Sequence, residues 1–250
     1  MRDLGNFATN NDADPSGLIG LVSAAISQAV ARREKGCRVL KAKLLDQMVS
    51  SVSSPSDEPR VSLIGAFERE RVPKEHIVDC YIPEAARLLG DRWIADKATF
   101  VEVTQGTARL QALLHGLQED IFSDARLVPG DSSALLVVPM GEQHTLGAMV
   151  LAGQLRRRGV SVCVRIAPGL SDLKILFAEK CFDAALVTLG SAERVDVCAK
   201  LVKTLKSVTT SELKIAVGGC IIDSVAAPLL EAGADLVTND LDRVVDTFEL

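Results

Sequence analysis

With 250 residues, 48% of them hydrophobic and 24% charged, the chain has the composition of a globular protein and the length for two modest domains. No apolar run reaches the ~18 residues that a membrane span needs. The formal charge of −5 is spread over both halves. Neither half has the basic excess that non-specific phosphate binding requires, so direct sequence-specific DNA binding is not expected.

The polar, acidic stretch 1–16 lacks the basic start and apolar core of a signal peptide. It reads as a flexible tail on a cytoplasmic protein. From residue 17 the periodicity is helical. Leu18, Leu21, Val22, Ala25 and Val30 mark a first helix, and Val39 to Val52 a second. The Ser- and Pro-rich run Ser50 to Pro59 breaks the chain before a third segment, Val61 to Arg69. A helix over His76 to Leu89 follows. A last one carries Phe100, Val103, Thr107, Leu110, Leu114 and Leu117 at steps of three and four, the spacing of a bundle seam. Residues 17–128 are therefore expected to form a helical bundle.

Beyond Pro129 the period changes. Ala134–Pro139, Val160–Arg165, Ala184–Leu189, Leu213–Val217 and Asp235–Val237 read as buried strands, with helical stretches between them. Five strands joined by crossover helices predict a flavodoxin-like, doubly wound five-stranded parallel sheet over 129–250, in the order 2-1-3-4-5. The cluster Arg156-Arg157-Arg158 ends the first of these helices, where cations suit the helix dipole, and is expected to be solvated.

The first strand runs into Gly141-Glu142-Gln143-His144-Thr145-Leu146-Gly147. In an open α/β sheet, ligands bind outside the carboxyl ends of the strands, so His144 stands where a functional histidine would. Neutral imidazole is a common metal ligand, and a carboxylate on its far nitrogen fixes the tautomer. Glu142 supplies such a carboxylate. Thr188 and Gly190 close the third strand, and Gly218-Gly219 the fourth. Glycines there let backbone approach a ligand closely, although Gly-Gly before a helix also recurs for packing alone.

This pattern, acid-x-His-x-x-Gly followed by a hydroxyl residue and a glycine pair, resembles the cobalamin-binding domain. The resemblance implies that His144 is the lower ligand to cobalt and Glu142 its carboxylate partner. Thr145 and Gly147 would complete that loop, and Thr188, Gly190, Gly218 and Gly219 would line the slot for the nucleotide tail. In this domain the chain departs from the family in three places: Glu142 stands where Asp is usual, Thr188 where serine is more usual, and Gly190 where leucine is. Trp93, Glu102 and Val103 fall where helical caps of light-sensing cobalamin proteins touch the cofactor's upper face. Val103 replaces a histidine and residue 94 is Ile94, so no upper histidine ligand is expected. Trp93 also reads as a core residue in the helical seam, and Glu102 as a solvated helix face.

The combination Trp93, Asp96, Phe100, Val103, Thr104, Gly106, Arg109, Leu110 and Gln111 resembles the AerR/PpaA family over about residues 60 to 250. That family implies a cobalamin-dependent, light-responsive antirepressor that binds a repressor of the CrtJ/PpsR type. The alternative from another class is a corrinoid methyl carrier of a methyltransferase system. A phosphoacceptor receiver is excluded by the lack of an acidic residue at Val138-Pro139-Met140. No catalytic machinery of its own is read in the chain.

Overall fold

The computed structural model describes residues 40–56, 58–124, 130–142, 145–209, 213–219 and 222–250. The expected tail, the helix at Leu18 to Val30, the domain limit at Val128–Pro129 and His144 lie outside the described residues.

Helix α1, Ala42–Ser53, sends Leu44, Met48, Val49 and Val52 into one core. It continues past Ser50 into the stretch expected to break. Val52 is buried there and Ser53 Oγ donates to Val49 O at 2.8 Å. Ser54–Ser56 lie beyond the helix. At this end Arg109 Nη1 donates to Val52 O at 2.7 Å and Ser54 O at 2.6 Å. These bonds satisfy carbonyls that the helix terminus leaves open.

Helix α2, Glu58–Arg69, starts three residues before the expected Val61. Pro59 is tolerated there because first-turn N–H groups have no partner within the helix. Next come α3, Lys74–His76, a π-helical turn, Ile77–Tyr81, and α4, Ile82–Ile94. The π turn has a local cause in Pro83, which lacks the N–H for Asp79 O and whose ring crowds that carbonyl. The chain widens by one residue, and Ile82 N–H bonds to Ile77 O instead. Asp96, at φ 53°, turns the chain into α5, Phe100–Asp124. Leu110, Leu114, Leu117 and Ile121 of α5 are buried in the bundle core.

The sheet has the order expected, β2-β1-β3-β4-β5, with neighbouring strands parallel. Its strands are β1 Ser133–Val138, β2 Ser161–Ile166, β3 Ala184–Leu189, β4 Lys214–Gly219 and β5 Leu236–Val237. Helices α6 Leu146–Arg157, α7 Leu170–Glu179, α8 Val195–Val208, α9 Ile222–Glu231 and α10 Leu241–Phe248 complete the fold. Side chains alternate as the pleat requires. Leu135, Val137, Val187 and Val217 share one apolar cluster with α7, α8 and α9. Ala134, Leu136, Val138 and Leu186 share another with α6 and α10.

Helix α6 has two apolar faces. Ala148, Ala152 and Leu155 pack on the sheet, while Leu146 and Val150 join the bundle core. The bundle therefore seats directly on the helix that follows the candidate loop. Of the three arginines that end α6, Arg158 is exposed as expected, while Arg156 and Arg157 are half-buried. Arg157 Nη2 pairs with both Asp79 oxygens at 2.7 and 2.6 Å, joining the sheet domain to the π turn. Arg158 pairs with Asp242 and Arg156 donates to Val162 O. The local dipole argument omitted these partners, which tertiary packing brings from three other elements.

Candidate functional site

The carboxyl ends of β1, β3 and β4 meet along one edge of the sheet, pairing Thr188 with Gly218 and Leu189 with Gly219. After β1 a tight turn forms, with Glu142 N–H donating to Pro139 O at 3.1 Å and Gly141 at φ +78°. That φ favours glycine, and the Arg194 guanidinium lies against the bare Gly141 Cα.

The turn delivers Glu142 onto the end of β3. Its half-buried carboxylate occupies the space that a Cβ on Gly190 would need. The residues at 142 and 190 thus belong together. An acid one methylene longer reaches over position 190, and glycine at 190 gives it room.

Thr188 is only 7% exposed, and its hydroxyl donates to Val137 O at 3.5 Å, a weak partner across the β1–β3 gap. Gly190 is buried beside it. The glycine pair makes its close approaches to protein. A Cβ on Gly218 would lie 2.8 Å from Thr238 O, and one on Gly219, at φ +138°, would collide with Leu189 O. The Asn239 amide brackets Gly219, accepting from its N–H at 2.6 Å and donating to its carbonyl at 2.7 Å. Asn239 and Arg194 were not legible as site residues, since each is placed only by the closing of the sheet.

Thr145 precedes α6, and Gly147 sits half-buried in its first turn. Gln111 of α5 donates to Thr145 Oγ1 at 3.0 Å. A little further along, buried Gln118 donates to Met149 O at 3.0 Å and lies over the bare Cα of Gly153. Gln111 belongs to the sequence combination described above, but its partner in the loop could not be read from it.

Trp93 is half-buried near the end of α4, and its carbonyl accepts from Asp96 N–H. Val103 packs against the bundle core. Glu102 is exposed and makes a capping box: its Oε2 accepts from Thr99 N–H at 2.7 Å and from Thr99 Oγ1 at 2.9 Å, and Thr99 Oγ1 accepts from Glu102 N–H. The Thr99 backbone N–H, then its hydroxyl, hold the Glu102 carboxyl below its ordinary range. A depressed carboxyl contributes stability above its unfolded pKa and loses it as pH falls through the folded one. The melting temperature of wild type should therefore exceed that of Glu102→Gln at neutral pH, and the gap should close on acidification. An unchanging gap in thermal melts from neutral to acid pH would remove the capping role. Among the described residues no cluster of three or more metal-binding side chains occurs, and no helix is long and apolar enough to cross a membrane.

No family model matches the chain. The monomethylamine corrinoid protein of Methanosarcina barkeri superposes with a TM-score of 0.66 at 12% identity, covering 83% of this chain and 98% of that one, and it shares the fold. The uncharacterized 20.5 kDa protein in the bchF-crtJ intergenic region of Rhodobacter capsulatus is 50% identical over 188 residues, which is 75% of this chain and 98% of that protein. At that identity and coverage, the chain belongs to the family of the Rhodobacter protein encoded between bchF and crtJ.

Proposed function

We propose that the chain is a non-catalytic, cobalamin-dependent and light-responsive regulator of the AerR/PpaA type, acting as an antirepressor on a CrtJ/PpsR-type repressor of photosystem genes. The observation that carries this reading is the 50% identical relative encoded beside crtJ, the gene that names that repressor class. The acidic balance of the chain supports a protein partner over DNA.

The polar groups at the strand ends suit the cofactor in chemistry. At the strand ends the Glu142 carboxylate lies over Gly190, and the Thr188 hydroxyl is buried against Val137 O at the end of β3. A half-buried carboxylate, Glu142, stands two residues from His144. In this reading His144 would hold the cobalt, with Glu142 as its carboxylate partner. Thr145 and Gly147 shape the loop, and Thr188, Gly190, Gly218 and Gly219 receive the nucleotide tail. Trp93, Glu102 and Val103 present the bundle to the upper face. Bound cobalamin would supply visible absorption and an upper ligand that light can exchange. The residues around it translate that change into a different surface only through their unequal contacts with the two states.

The methyl-carrier reading draws on the shared fold with the monomethylamine corrinoid protein. Titrating the repressor against the hydroxocobalamin-loaded chain, in darkness and under light, separates the two. A regulator should show a light-dependent affinity change of about 5- to 150-fold, the usual range of coupling between sites. Equal affinity in both conditions, with methyl transfer to an acceptor, assigns the chain to the carriers.

A further inference from the structure

Thr145 sits at the N-cap of α6, where a threonine hydroxyl ordinarily accepts from a first-turn N–H and stabilises the helix. It makes no such bond here. Its Oγ1 accepts from Gln111 Nε2 instead, across the boundary between bundle and sheet domain. Gln111 is half-buried on the side of α5 that faces α6. Leu110 and Leu114 beside it are buried in the same core as Leu146 and Val150. The candidate loop is thus held at both ends: by the Pro139–Glu142 turn on one side and by the bundle on the other.

We propose that Gln111 is a positioning residue that couples the helical bundle to the loop bearing His144. The inference rests on the cobalamin reading of that loop and adds how the bundle controls it. Thr145 is the residue next to His144 in the chain, so the anchor acts at the end of the loop from which α6 starts. The anchor is carried by a rigid rod. Glu102 occupies the first turn of α5 and Gln111 lies about 14 Å further along the same helix, at 1.5 Å per residue. A shift of α5 at its amino end, beside the upper-face candidates, moves Gln111 relative to Thr145 and changes the loop on the opposite side. By linkage, whatever the loop binds must bias the bundle by the same free energy.

Three variants and two readouts test this. Gln111→Ala and Thr145→Val each remove one partner, and Thr145→Ser keeps the hydroxyl. Amide hydrogen exchange of the unliganded protein should rise about 3- to 10-fold in the first turn of α6 for the first two, the worth of one net hydrogen bond, and stay near wild type for serine. Hydroxocobalamin affinity and its bound absorbance spectrum should follow the same order, with the double variant no worse than either single one. Gln118→Ala serves as the structural comparison: it should lower the melting temperature without changing the bound spectrum. Wild-type exchange and affinity in both Gln111→Ala and Thr145→Val overturn the coupling. If the wild-type chain takes up no hydroxocobalamin, the cofactor reading fails, while the exchange measurement still decides whether Gln111 holds the loop.

Discussion

Gly190→Leu is expected to lower the melting temperature by about 2–12 °C, and Glu142→Asp in the same chain to recover much of the loss. The carboxylate of Glu142 fills the volume a side chain at 190 would enter, and even the Cβ of alanine meets it. Overpacking of this kind destabilises by about 1–3 kcal/mol, and for a domain of this size each kcal/mol is worth about 2–4 °C. Glu142 leaves such a variant only by abandoning the end of β3, so the turn at Gly141 and its contact with Arg194 shift with it. Aspartate, shorter by a methylene, withdraws the carboxylate from position 190. The measurement is a double-mutant cycle on thermal melts, with Gly190→Ala beside Gly190→Leu. Strictly additive effects would mean that residues 142 and 190 are not a matched pair.

This pairing shows where the amino-acid sequence was legible and where it was not. Both residues, Glu142 and Gly190, are visible in the chain, but their mutual contact lies across the β1–β3 crevice. The strands and their order were readable because a parallel sheet covered on both faces needs uninterrupted apolar runs, such as Leu135-Leu136-Val137-Val138. The π turn was not read from periodicity, although its cause, Pro83, was in plain view. Glu102 was read as a solvated helix face. Its spacing of three from Thr99 already spelled a capping box, the bond that the fold makes. Arg157 and Gln111 needed partners more than thirty residues away, Asp79 and Thr145, and a local window holds no trace of either. The glycine pair was read as a cradle for a ligand. The fold gives each glycine a protein neighbour, Thr238 and Leu189, so both readings apply to the same two residues.

His144→Ala should abolish stable uptake of hydroxocobalamin, weakening it by more than about 100-fold, while leaving the fold intact. Glu142→Gln should weaken it about 10- to 100-fold, the range for a group that orients a metal ligand without being one. The ordering follows from the loop. The Pro139–Glu142 turn and the Thr145 anchor fix its two ends and leave Gln143 and His144 between them. Of these two, only imidazole is a strong ligand for a transition metal. Any cobalamin retained by His144→Ala should carry the spectrum of a cobalt ligated by water or by the cofactor's own base. Acidification should also weaken binding to wild type, because protons compete for a neutral imidazole ligand, and that part of the pH dependence should vanish with the histidine. Gel filtration with absorbance detection reads retention, and circular dichroism confirms the fold. A variant that keeps wild-type affinity, spectrum and pH dependence would place the cobalt ligand elsewhere. The light-dependent repressor titration would then have to be explained without this loop.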